Sequence, residues 1–190
     1  MFGFLRRRKL KRIRENSNET LIMHISDTPE KVYTFIAELI DEYKPDVIIH
    51  TGDLADNIKL ERKPELRPLY IGAVRKLARI LKSSGAELYI VPGNEDDVEL
   101  VKKFFGKSVV EPGSVIEING KTLALGHTWE DVADKNTDFK LYGHNFRVIP
   151  KGLNAVLGVN FVFLPSGMVV RMDYPVGTDT ARGYKLRRGL

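Results

Sequence analysis

The sequence predicts an α/β domain, on three observations. Apolar strand-like runs alternate with helix-period segments in the first half, short strands with close turns fill the second, and a polar residue follows each early strand. Leu21 to Ser26 is an apolar run ending in a polar turn, which reads as a buried parallel strand delivering Asp27. Thr28-Pro29-Glu30 then opens a helix, with Thr28 suited to cap it and Pro29 to take the first helical position, where no N–H is missed. Val32, Phe35, Ile36, Leu39 and Ile40 follow at helical spacing. A second strand over Val47 to His50 runs into a glycine turn that delivers Asp53. A charged, proline-bearing loop (56–68) leads to a helix whose inward face takes Leu69, Ile71, Val74, Leu77, Ala78 and Leu81.

The third strand, Glu87 to Val91, stops at Pro92-Gly93 and delivers Asn94, Glu95 and Asp96, the last suited to cap a helix over Val98 to Phe105. This βαβαβα order implies a parallel sheet with helices on its faces. From Val109 the pattern changes. Ser114 to Ile118 and Lys121 to Leu125 flank an Asn119-Gly120 hairpin turn, and further strands are expected over Phe139 to Tyr142, Asn160 to Leu164 and Met168 to Met172.

The chain has 190 residues, of which 43% are hydrophobic, enough for the core of one domain. Residues 21–175 are expected to form that domain, with 1–20 as a basic N-terminal tail or helix and 176–190 as a basic C-terminal tail. There are no cysteines, so disulfides, thiolate metal sites and cysteine nucleophiles are excluded, and a metal must be held by His, Asp, Glu, Asn or backbone oxygen. No apolar stretch approaches the roughly 20 residues that cross a bilayer, and the basic start lacks a signal peptide's apolar run, so a cytoplasmic location is expected.

The formal charge of +5 lies in the ends. Seven basic side chains between Arg6 and Arg14 face only Glu15 and Glu19, while Arg182, Lys185, Arg187 and Arg188 form a second basic stretch. Such ends fit either a solvated extension or attraction to nucleic-acid phosphates or an anionic surface.

Five pieces place a polar group just after a strand: SDT at Asp27, TGD at Asp53, GNED at Asn94, LGH at His127 and YGH at His144. Side chains at the carboxyl ends of neighbouring parallel strands converge on one crevice. Two Asp, two His and an Asn make a reasonable oxygen and nitrogen shell for divalent cations. Each also has a plainer reading, as a cap, a turn residue or a hydrogen-bonded core histidine. His24 and His50 read as structural, bonded to neighbouring backbone, while Trp129 and Phe146 either line the crevice or pack beneath it.

This order of motifs resembles the calcineurin-like metallophosphoesterases, particularly the small bacterial and archaeal type. Their pattern runs D-x-H, G-D, G-N-H-D or G-N-H-E, G-H, then G-H-x-H. The resemblance spans Asp27 to Phe146 and implies a layered sandwich of mixed β-sheets flanked by helices. It implies that Asp53 bridges two metals and that Asn94, His127 and His144 complete one metal position. Of the other position Asp27 remains, whereas Pro29 and Phe146 replace its two histidines. The histidine that contacts substrate phosphate is Glu95 here, which fits three roles: a replacement catalytic acid, an extra ligand, or a surface residue. The implied cofactor is a divalent metal, manganese first, with zinc, iron, nickel or magnesium as alternatives, in one strong site beside a weakened second. The implied reaction is hydrolysis of a phosphomonoester or phosphodiester. The competing expectation is a non-catalytic scaffold on the same fold, contacting nucleic acid through its basic ends.

Overall fold

The computed structural model describes residues 2–183. Helix α1 (Phe2–Asn16) precedes strand β1 (Thr20–Ile25), α2 (Tyr33–Tyr43), β2 (Val47–His50), α3 (Arg67–Ser83), β3 (Glu87–Ile90) and α4 (Val98–Phe105). The second half holds β4 (Ser114–Ile118), β5 (Lys121–Leu125), α5 (Glu130–Ala133), β6 (Phe139–Tyr142), β7 (Gly152–Asn154), β8 (Val159–Leu164), β9 (Met168–Met172) and α6 (Thr178–Ala181). Short 3-10 turns at Glu30–Val32 and Pro64–Leu66 lead into α2 and α3.

Two mixed sheets form, in the orders β3-β2-β1-β8-β9 and β4-β5-β6-β7. β1, β2 and β3 are parallel neighbours in one sheet, and β5, β6 and β7 are parallel in the other. β8 runs antiparallel to β1 and carries β9 at the edge. Alternation along each strand sorts the core into layers. Leu21, Met23 and Ile25 pack with Ile36, Val74 and Leu77 in the helix layer. Ile22, Val47 and Ile49 meet Leu123, Leu125, Leu141 and Val162 between the sheets. The far side of the second sheet is closed by Val132 of α5 with Ala124 and Tyr142. This is the layered α/β sandwich of mixed sheets flanked by helices that the sequence leads one to expect.

Several local expectations are corrected. Thr28 does not cap a helix. It is fully buried, its hydroxyl donates to Leu54 O at 3.0 Å and meets His50 Nε2 at 2.9 Å, and Pro29 lies just outside the first turn in an extended conformation. Asp97 rather than Asp96 caps α4, accepting the N–H of Leu100. On α3, Leu69 faces solvent, because the buried stripe runs through Tyr70, Ala73, Val74, Leu77, Ala78 and Leu81. His24 bonds to side chains instead of neighbouring backbone, Nε2 to Thr51 Oγ1 and Nδ1 to Asn160, whereas His50 meets neighbouring backbone as expected, its Nδ1 accepting the Gly52 N–H at 3.2 Å while Nε2 meets the Thr28 hydroxyl.

The basic start is a docked helix, not a solvated extension. Leu10 is fully buried, and Arg6, Arg7 and Arg14 pair with Asp173, Glu42 and Asp46. Arg182, counted with the C-terminal basic stretch, is also buried. Lys185, Arg187 and Arg188 lie outside the described residues. No helix among the described residues is long and apolar enough to cross a membrane.

Candidate metal centre

Because β1, β2 and β3 run parallel, as do β5 and β6, their carboxyl ends open on one edge of the sandwich. Asp27, Asp53 and His144 leave those ends with positive φ of 51°, 56° and 66°. A left-handed backbone at non-glycine residues costs energy and is retained where the surroundings dictate it, most often at functional sites. The turns are tied together: Asp27 N–H donates to Gly52 O at 2.9 Å, Thr28 N–H to Asp53 O at 3.0 Å, and Gly143 N–H to His127 O at 2.9 Å. Glycines make the close approach possible. A Cβ on Gly93 would overlap Asp53 Oδ1, and one on Gly143 would overlap Asp27 Oδ2 and Ser26 Oγ.

Asp53, Asn94, His127 and His144 come together. His127 Nδ1 lies 2.8 Å from Thr51 O, and a carbonyl only accepts, so Nδ1 carries the proton and Nε2 of the neutral ring presents a lone pair. That Nε2 faces Asn94 Oδ1 at 3.0 Å, His144 Nδ1 at 3.1 Å and Asp53 Oδ1 at 3.6 Å. Asn94 is oriented from behind, since its amide nitrogen donates to Glu61 Oε2 at 3.0 Å. Its oxygen therefore also points a lone pair inward. Ligand atoms of Asp53, His127 and His144 all lie within 4.8 Å of one another. Lone pairs from carboxylate, amide oxygen and imidazole directed at one point repel unless a cation lies between them, so this donor set fits a divalent transition metal.

Asp27 is fully buried with a carboxylate oxygen within 4.8 Å of one on Asp53, and it holds His144 by accepting its N–H at 2.9 Å. Burial, then the charges of Asp27, Asp96 and Asp56, pushes the Asp53 carboxyl well above its usual range, against the N–H of Glu95 that favours its ionised form. Burial also lowers His144, keeping its ring neutral.

Glu95 is 4% exposed, so it is not a surface residue. Its N–H donates to Asp53 Oδ1 at 3.0 Å, and its carboxylate accepts the N–H of Glu61 at 3.0 Å. Phe146 is 53% exposed and lines a 420 Å³ cleft with Leu157, Tyr174 and Val176. Trp129 is half-buried beneath the Arg147 guanidinium, 4.2 Å from its ring centre.

Four residues support the centre in roles that the sequence did not assign to them. Asp96 accepts from the N–H groups of Asp53, Leu54 and Gly93 and from the Tyr70 hydroxyl, stitching the second and third turns together. Asp131 accepts the N–H groups of His127 and Thr128. Arg182 binds the carbonyls of Ser26, Asp27 and Val156 and the Asp179 carboxylate. Asp56, three residues beyond Asp53, is fully buried beside it. Only the Asp53/Asp56 spacing was visible as a signal; the other contacts join distant segments.

Fold and site together define a metallophosphoesterase-type domain, and the chain belongs to the calcineurin-like phosphoesterase family, whose model matches residues 20–167. It is 24% identical over 140 residues to the DNA double-strand break repair protein Mre11 of Methanocaldococcus jannaschii, a match covering 63% of this chain and 36% of that protein. The chain thus matches about a third of the length of that relative. One solved structure superposes with a TM-score of 0.56 at 11% identity, covering 83% of this chain and all of the other. YfcE, a phosphoesterase from E. coli, superposes with a TM-score of 0.47 at 14% identity, over 82% of this chain and 100% of that one.

Proposed function

We propose that the chain is a metal-dependent phosphoesterase hydrolysing a phosphomonoester or phosphodiester, with its strong cation position at Asp53, Asn94, His127 and His144. The observation that carries this reading is the approach of His127 Nε2 to Asn94 Oδ1 at 3.0 Å, two acceptors that only a cation or an added proton reconciles. Manganese, the ion that the family resemblance puts first, is the cation of first choice, with zinc, iron, nickel or magnesium as alternatives. Bound there, a divalent cation supplies polarisation of a phosphoryl oxygen and activation of water. Asp53 and Asn94 hold the oxygen side of the centre, His127 is locked in the required tautomer by Thr51 O, and Asp27 fixes the backbone of His144. Glu95, adjacent to Asn94 and hydrogen-bonded through its N–H to Asp53, is assigned as the acid for the leaving oxygen.

The test is to strip the protein of metal, titrate Mn²⁺, and assay chromogenic phosphodiester and monoester substrates beside Asp53→Asn. The reading expects Mn²⁺-dependent turnover in the wild type and at least a roughly hundredfold loss in the variant. Equal inactivity of the two across several metals and both ester classes would discard the enzyme.

A second reading, a nucleic-acid-binding scaffold, draws on Lys9 and Arg12, which face outward on α1 beside a 540 Å³ groove. The Mre11 relative, by name a DNA repair protein, points the same way. It expects salt-sensitive DNA or RNA binding that weakens in Lys9→Glu/Arg12→Glu, a variant that leaves the docking arginines in place.

A further inference from the structure

We infer that Asp27, Asp53 and Asp56 form a second cation site built from carboxylates alone, selective for a hard divalent ion such as Mg²⁺, Mn²⁺ or Ca²⁺. The inference rests on the metal centre proposed above, with which it shares Asp53. The resemblance assigns the second position two histidines, and here Pro29 and Phe146 stand in their places, neither able to ligate through its side chain. Asp56 supplies what they do not. One carboxylate oxygen from each of Asp27, Asp53 and Asp56 lies within 4.8 Å of the other two, and all three residues are buried.

The second, independent observation is a pair of orphaned oxygens. Among the described residues three buried side-chain atoms lack a hydrogen-bond partner, and two of them are Asp27 Oδ1 and Asp56 Oδ2. Each belongs to a carboxylate whose other oxygen is engaged: Asp27 Oδ2 by the His144 N–H, Asp56 Oδ1 by the Lys59 ammonium. Arg182 does not fill the gap, because its Nε stands 3.9 Å from Asp56 Oδ2 and donates instead to Asp27 O at 2.7 Å. Buried anionic oxygens without donors are costly, and a cation satisfies both at once. Oxygen-only ligation by three carboxylates suits Mg²⁺, Mn²⁺ or Ca²⁺, whereas the imidazoles of the first centre suit a transition metal. Lys59 is then the local competitor, its ammonium repelling the ion that Asp56 attracts.

The test is calorimetric titration of the full chain, freed of metal by chelation, with Mn²⁺, which suits both donor sets, and element analysis after desalting. Two equivalents are expected in the wild type and one in Asp56→Asn, with Lys59→Met keeping two and binding the weaker one roughly tenfold more tightly. One equivalent in the wild type, or two in Asp56→Asn, overturns the second site while leaving the first intact. No binding at all overturns both. Should Asp56→Asn misfold, Lys59→Met decides: a weaker or unchanged second equivalent contradicts the proposal.

Discussion

His127 Nε2 and Asn94 Oδ1 face each other at 3.0 Å although each presents a lone pair, because Thr51 O claims the ring proton and Glu61 Oε2 accepts from the Asn94 amide nitrogen. Two turns from different sheets are thus held in a contact that is unfavourable by itself. Replacing Asn94 with alanine relieves it and removes an oxygen ligand. The expected result is Mn²⁺ affinity lower by roughly ten- to a hundredfold, with thermal stability of the metal-free protein unchanged or raised, measured by calorimetry and thermal melts.

Gly93 tests the closeness of the turns. Alanine there puts its Cβ against Asp53 Oδ1 and 2.6 Å from Asp53 N, with backbone on one side and a ligand on the other. Gly93→Ala should cost about 2 kcal/mol of stability and weaken Mn²⁺ binding at least about tenfold, whereas Gly72→Ala, with open space around it, should do neither. Denaturant midpoints and metal titration of the two variants check the contrast.

Arg182 braces the first turn from behind, donating to the carbonyls of Ser26, Asp27 and Val156 while 1% exposed. Arg182→Met keeps the bulk but leaves the buried carbonyls of Ser26, Asp27 and Val156 without their donor, while Asp56 keeps its ion pair with Lys59. A loss of about 3 kcal/mol in unfolding free energy is expected, and a loss under about 1 kcal/mol would contradict the bracing role.

The pH dependence has a definite sign at His24. Burial first, then the charges of His50 and Arg171, lower its pKa from 6.5 to about 3. Between those values the unfolded chain binds a proton that the folded chain does not. Stability contributed by neutral His24 is therefore complete above about pH 6.5 and falls as the pH drops toward 3, by at most about 1.4 kcal/mol per pH unit. Urea midpoints from pH 7 to 4 should fall more steeply in the wild type than in His24→Gln.

The placement of most strands, though not their order in the sheets nor the short β7, was legible because both faces of β1 and β2 are covered, giving the continuous apolar runs that mark buried parallel strands. The same strands placed Asp27 and Asp53, and hairpin chemistry at Asn119-Gly120 fixed the ends of β4 and β5. Long-range bonding was not legible. The Thr28 hydroxyl reaches Leu54 O and His50 instead of capping, and Asp96 bridges two turns while its neighbour Asp97 takes the cap. A helix at the basic start was one of two expectations, but its docking was hidden by its charge, whose purpose shows only once Asp46, Glu42 and Asp173 are seen beneath it. Asp56 likewise gains meaning only from Asp27, brought to it by strand pairing.

The most direct measurement is a crystal structure of the Mn²⁺-soaked protein with data at the manganese absorption edge. The account predicts an anomalous peak between Asp53, Asn94, His127 and His144, about 2.0–2.3 Å from His127 Nε2. An occupied lattice with no peak there, and His127 Nε2 instead donating a proton to Asn94 Oδ1, would contradict it.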